Sequence, residues 1–259
     1  MWKRSELKAK AKVSFKRNYW KSVLISLIFA VFVSGGASIA SSSSYRMGAD
    51  DTGVSESTVE DKSVDDILSK ADGMDASTKA LYLVGFAIGV LIIFLMIMCI
   101  IILLDVFIFR PIEVGCDRYY IRNLNEPAQV GNIGYAFDNN YKNITKTMFF
   151  RQLFVFLWSL LLIIPGIVKA YEYQMIPYLL ADNPQMTKEQ AFAESKRMMK
   201  GQKWRAFVLD LSFIGWQILS LITCGIVGIF YVNPYLDATH AALYERLRYE
   251  NQNTTYAAQ

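Results

Sequence analysis

The chain has 259 residues, with 27 Lys and Arg against 23 Asp and Glu and a mean hydropathy of +0.24. Hydrophobic residues make up 53%, and this excess over an ordinary soluble domain is gathered into long runs, which excludes a purely soluble or disordered chain. Three cysteines (99, 116 and 224) without CxxC spacing and a single histidine, His240, argue against a disulfide framework or a metal centre; no metal and no cofactor is expected, and His240 reads as a half-exposed helix residue.

Residues 1–21 carry eight Lys and Arg against one Glu and predict a basic amphipathic helix. Its apolar residues form two narrow stripes, Trp2, Ala9, Val13 and Trp20 on one side and Leu7, Ala11 and Phe15 nearly opposite. A basic segment abutting an apolar run is a topology signal, placing the N-terminus in the cytoplasm; nucleic-acid binding is not expected. Residues 22–40 form the first apolar run and a predicted span. A cleaved signal peptide ending at Ala40 is the lesser reading, because the apolar core is long for one. Residues 41–79 hold nine acids against four bases among Ser, Gly and Thr and predict a flexible acidic extracellular loop.

Residues 80–109 contain one charge in thirty and predict the second span, with length to spare. Gly85 and Gly89 give it a GxxxG spacing suited to close packing within the bundle or between copies. A cytoplasmic segment follows over 110–147. Residues 148–181 and 206–236 are apolar runs that could each cross once or fold back as a helical hairpin. Six Lys and Arg in 110–151 and seven in 169–205 favour hairpins, which keep both basic segments, and the C-terminal helix and tail over 237–259, inside. Within 182–205, Thr187 and Gln190 have capping-box spacing. Ala191, Phe192, Ser195, Met198 and Met199 share one face of the helix that follows. Lys196, Arg197, Lys200 and Lys203 gather opposite, the pattern of a cytoplasmic helix on the anionic inner leaflet or docked on a neighbouring helix.

An internal repeat supports the hairpins. Trp20-Lys21 aligns with Trp204-Arg205, and Pro111, Pro177 and Pro234 are each followed four residues later by Gly115, Ala181 and Ala238. The predicted fold is therefore all-α, a polytopic helical membrane bundle of about six spans as three helical hairpins, with four spans as the alternative.

The segments "SELKAKAKVSFKRNYWKSVLISLI", "LFVFLWSLLLIIPGIVKAYEYQMIPYLLADNP", "ESKRMMKGQKWRAFVLDLSFIGWQIL" and "VNPYLDATHAALYERLR" resemble a bacterial membrane family called domain of unknown function 975. The resemblance spans nearly the whole chain outside the acidic loop. It implies a multispanning helical protein of the cell membrane, mostly in Gram-positive bacteria, with no assigned activity and no catalytic residues to carry over.

Ionisable residues inside spans are costly and so are candidates for function. Asp105, Arg151 and Asp210 are predicted to meet in one polar layer near the cytoplasmic leaflet, with Arg151 neutralised by Asp105 or Asp210. Lys169 and Glu172, at i and i+3 just after Pro165-Gly166, are predicted to pair at the outer turn of the second hairpin. Tyr171, Tyr173, Tyr178, Tyr231 and Tyr235 suit interfacial belts. A protease built on twinned aspartates would place one after GxG, whereas Asp105 follows ILL and Asp210 follows FVL. The expectation is thus a non-enzymatic scaffold, regulator or accessory subunit, acting through lipid, a membrane-protein partner or a second copy. The alternative is a small transporter or channel built on the polar layer.

Overall fold

The computed structural model describes residues 2–32 and 75–256. The acidic loop up to residue 74 and the end of the first predicted span lie outside them. Among the described residues all regular structure is helical, in the order α1 (Arg4–Arg17), α2 (Tyr19–Phe32), α3 (Ala76–Leu104), α4 (Arg110–Asn123), α5 (Tyr135–Asp138), α6 (Tyr141–Leu161), α7 (Ile163–Glu172), α8 (Ile176–Asp182), α9 (Lys188–Met199), α10 (Lys203–Leu211), α11 (Ile214–Ile222) and α12 (Asn233–Tyr256). Two five-residue π-helical turns, Asp105–Phe109 and Gly228–Val232, precede α4 and α12. The chain divides into two compact units, one holding α3 up to Leu103 and the other the remaining helices. In α3 the apolar side chains from Leu81 to Leu104 are exposed. A Cβ added at Gly85 or Gly89 would meet nothing within 4 Å, so the GxxxG serves no packing among the described residues.

Among the described residues three helices are long and apolar enough to cross a membrane, Ala80–Asn123, Tyr141–Leu161 and Lys203–Ile222, and Tyr19–Ile28 is apolar but shorter. The expected six spans, or four, are not confirmed by the described residues, where the return after α6 is interrupted at 173–175 and the return after α11 runs through a π-helical turn into α12. After α6 the backbone turns at Leu162, whose φ and ψ are extended at −158° and 140°, and Gly166 comes back against Ser159. A Cβ on Gly166 would lie 2.4 Å from Ser159 Oγ. The returning helix α7 has only ten residues, about 15 Å at 1.5 Å per residue, half a bilayer core. The third pair has the same construction. Cys224 and Gly225 turn the chain at φ of 50° and 84°, and a Cβ on Gly228 would lie 2.2 Å from Ser220 Oγ.

Proline explains where the helices break. It lacks an N–H and crowds the carbonyl four residues back, and each of the three aligned prolines follows an irregular turn: π-helical before Pro111 and Pro234, and an open turn at residues 173–175 before Pro177. The carbonyls so released are used. Phe107, four before Pro111, accepts from the Tyr141 hydroxyl at 2.7 Å, and Tyr173, four before Pro177, accepts from Arg151 Nε at 3.2 Å. The small residue four after each proline is buried. At Gly115 a Cβ would sit 2.0 Å from the Ile133 carbonyl oxygen, so that position admits no side chain without displacing backbone.

Of the two stripes on α1, Leu7, Ala11 and Phe15 are buried, and α1 packs along α12. Val13 and Trp20 stay exposed, at 62% and 73%. The core joins these residues to Tyr119 and Tyr120 of α4, Met175 and Tyr178 around α8, Met198 and Met199 of α9, Leu209 and Phe213, and Ala238, Ala241 and Tyr244 of α12. A second cluster around Val114, Ile144, Met148, Leu180 and Ala191 ties α4, α6, α8 and α9 together. The capping box of α9 forms as its spacing predicts: Gln190 N–H donates to Thr187 Oγ1 at 3.3 Å and Thr187 N–H to Gln190 Oε1 at 3.0 Å. Its face of Ala191, Ser195, Met198 and Met199 is buried by protein, so this helix docks on its neighbours and does not lay its apolar face on lipid.

Candidate functional site

The interior carries charge on α4, whose inward face repeats polar residues at i, i+4 and i+7: Glu113, Asp117 and Tyr120. Glu113, 5% exposed, takes two arginines. Arg110 Nη1 and Arg151 Nη1 each donate to it at 2.9 Å, one to each carboxylate oxygen. Arg110 also reaches back through Nε to Asp105 at 3.1 Å. The predicted partners of Arg151 are therefore replaced: it pairs with Glu113, while Asp105 joins only through Arg110. Geometry decides this. Asp105 sits in the π-helical turn five residues before Arg110, which lies between it and Glu113.

Asp210 belongs to a different cluster. Its carboxylate accepts from the Tyr171 hydroxyl at 2.8 Å and bonds His240 Nε2 at 2.7 Å. His240 stands one turn from Asp237 on α12, so a single imidazole lies between two carboxyls. Asp237 in turn accepts from Ser26 Oγ, and the Tyr120 hydroxyl lies 2.6 Å from that oxygen and 2.9 Å from the Ser22 carbonyl, with one proton to donate to either. Asp117 shares a hydrogen bond with Tyr178. Burial pushes the Asp237 carboxyl up to about 6, against the opposing pull of Ser26, the His240 charge and Tyr120. Burial works to lower His240, but its bond to Asp210 and the Asp210 and Asp237 charges win and hold the imidazolium above its ordinary value. The polar layer expected from Asp105, Arg151 and Asp210 is thus two clusters, with Asp117 and Asp237 between them.

Lys169 and Glu172 do pair, at 2.9 Å, but not alone. Lys203 also bonds Glu172, Lys196 approaches it to 3.8 Å, and Ser195 Oγ donates to the Glu172 carbonyl at 2.8 Å. This corrects two expectations together. A pair at the outer turn and a basic face at the inner surface cannot share one carboxylate, so Lys169, Glu172, Lys196 and Lys203 lie at one level. Of the remaining basic face, Arg197 pairs with Glu194 at 2.8 Å and Lys200 is exposed. Tyr171 and Tyr178 are likewise interior partners of Asp210 and Asp117 instead of belt residues.

The residues missed by sequence reasoning are Glu113, Asp117, Asp237 and His240. Their signals were the i, i+4, i+7 polar stripe on α4 and the i, i+3 spacing of Asp237 and His240. Among the described residues no group of three or more His, Cys, Asp or Glu is placed to hold a metal ion.

The comparisons with known proteins bear on this arrangement in one way. Residues 77–251 match a family described as "Protein of unknown function (DUF975)". No curated protein and no solved structure matches the chain.

Proposed function

We propose that this chain, which belongs to the DUF975 family, is a multispanning protein of the cytoplasmic membrane that works by binding and not by catalysis, as an envelope scaffold, regulator or accessory subunit. In this reading the exposed apolar arms of the larger unit, the distal half of α6 with α7 and α11 with the return that follows it, sit in the bilayer, and α3 is by itself long and apolar enough to span one. Leu160, Ile164 and Leu221 at the arm tips are 77%, 76% and 81% exposed. The packed layer built on α1, α4, α8, α9 and α12 then forms the cytoplasmic face with both termini, and the repeat-related Trp20 and Trp204, each 73% exposed, mark the boundary, where tryptophan is favoured.

The observation that carries the binding reading is the mutual neutralisation of the buried charges. Glu113 holds Arg110 and Arg151, and Asp210 holds His240 and Tyr171. Groups engaged in this way fix helix order, as buried pairs in a membrane protein must, and support a structural role for the polar interior over a transport path. The test is reconstitution of the full chain into liposomes enclosing a pH-sensitive dye. The protein should resist alkaline carbonate extraction and leave proton flux at the level of empty liposomes. A flux above that level, abolished by Asp210→Asn, would replace this reading with transport.

A further inference from the structure

A cleft of about 670 Å³ opens between the start of α1 and α10. Lys3, Arg4, Lys8 and Arg205 line it with Trp2, Trp204 and two serines, and among the described residues no carboxylate is in its walls. Surface cations on folded chains are ordinarily interspersed with acids, so four gathered without a counter-charge form a field that attracts anions. Arg205 is fixed in place against Trp2. Its guanidinium lies over the Trp2 ring at 4.9 Å and Nη2 donates to the Trp2 carbonyl at 3.0 Å, while Trp2 Nε1 is fixed by Gln202 at 3.1 Å. Nη1 of the same group is buried and has no hydrogen-bond partner, a donor that an anion in the cleft would satisfy. Lys8, set 4.2 Å over the Phe213 ring, is held below its ordinary value by burial and by the charge of Arg4, as expected of cations crowded without an anion. The start of α1 carries no side-chain cap on Lys3 and its dipole adds to the same field, while Glu6 of that turn lines a separate pocket with Lys10 and Arg246.

Apolar surface continues from the rim. Trp204 is exposed there, and Leu211 and Ile214 on α10 and its continuation are 48% and 49% exposed. A free phosphate would use the cations and leave this track empty. A phospholipid uses both, with its phosphate among the cations and its acyl chains along α10 and α11. We propose that this cleft binds the phosphate-bearing headgroup of an anionic phospholipid at a single defined site. The site is separate from the lysines of α9, and the inference rests on the membrane reading above.

The test uses the full chain in neutral detergent, titrated with phosphatidylglycerol and counted by native mass spectrometry, with phosphatidylcholine, glycerol phosphate and inorganic phosphate as separate arms. Wild type should retain one phosphatidylglycerol with at least about tenfold preference over phosphatidylcholine. Lys8→Gln with Arg205→Gln should weaken it by at least about tenfold, while Arg197→Gln with Lys200→Gln should not. If the first pair fails to fold, Lys3→Gln with Arg4→Gln, both exposed, poses the same question with a smaller loss. Equal retention by the variants, or equal retention of phosphatidylcholine, overturns the site. Glycerol phosphate or inorganic phosphate binding as tightly as the lipid overturns the lipid assignment in favour of a soluble phosphate ligand. Loss of the chain from carbonate-washed membranes is a failure of the membrane reading, whereas a membrane-retained chain without lipid preference is a failure of this inference alone.

Discussion

Glu113→Ala is expected to be the most damaging single substitution in the protein. It removes the carboxylate on which Arg110 and Arg151 both rest, and their side chains are only 12% and 19% exposed. Breaking one side of a buried pair costs about 3–5 kcal/mol because the stranded charge has little water to turn to; here Arg151 loses the carboxylate it pairs with, while Arg110 keeps Asp105 at 3.1 Å. Folded protein recovered from membranes, read by size exclusion in mild detergent, should fall to a small fraction of wild type. The rescue identifies the pairing. Glu113→Gln combined with Arg151→Met should recover more than the sum of the single losses allows, since removing both partners leaves less uncompensated charge. Arg151→Ala combined with Asp210→Asn should be additive, because those residues belong to different clusters. The reverse pattern would restore the direct Arg151–Asp210 pair.

The second large effect is on pH. Asp237 faces Ser26 of α2, Cys116, Asp117 and Tyr120 of α4, Tyr178 of α8 and His240 of its own helix. Its carboxyl titrates at about 6 when folded and near 3.8 when unfolded. A raised acid contributes its stability fully below the unfolded value and loses it as pH climbs through the folded one. Two pH units at ~1.4 kcal/mol each amount to about 3 kcal/mol. His240 works in the same direction. Its imidazolium is favoured by Asp210, so that stability is complete below 6.5 and disappears as pH rises through its raised folded value. Between pH 5 and pH 8 only the last unit of the Asp237 interval is crossed, ~1.4 kcal/mol, so the thermal midpoint in detergent should fall by roughly 3–6 °C for the Asp237 contribution. Asp237→Asn should remove most of that slope and leave the part due to His240. A midpoint that rises over this range would contradict the placement of both groups.

Local signals were legible, and long-range ones were not. The α9 capping box needs only Thr187 and Gln190, three residues apart, and it forms. Lys169 and Glu172 are one turn apart, and they pair. The three aligned prolines mark helix breaks because proline acts on its own backbone, so the repeat was readable even though the two released carbonyls were filled by donors 22 and 34 residues away. Partner choice was harder. Arg151 and Glu113 lie 38 residues apart, and Glu113 escaped notice because it falls just past the apolar run, where a charge reads as cytoplasmic. His240, a lone histidine in a helix with mixed faces, gains its role only when α10 brings Asp210 against it across 30 residues. The basic cleft joins residues 2–8 to residues 204–212, a separation that no periodicity reports. Span number is confirmed only in part: among the described residues three helices reach spanning length. Hydropathy counts apolar residues, but a return of ten residues is too short to cross whatever its composition.

The central claim is that the packed helical layer, with its basic cleft, lies on one side of the membrane while the apolar arms enter the bilayer. Cysteine accessibility tests it most directly. In a background with Cys99, Cys116 and Cys224 replaced by Ser, single cysteines at positions 3, 190 and 250 should react with a membrane-impermeant maleimide only after the inner face is opened, and positions 164 and 222 at the arm tips should differ from all three. Residues 190 and 250 labelling from opposite sides would contradict the account.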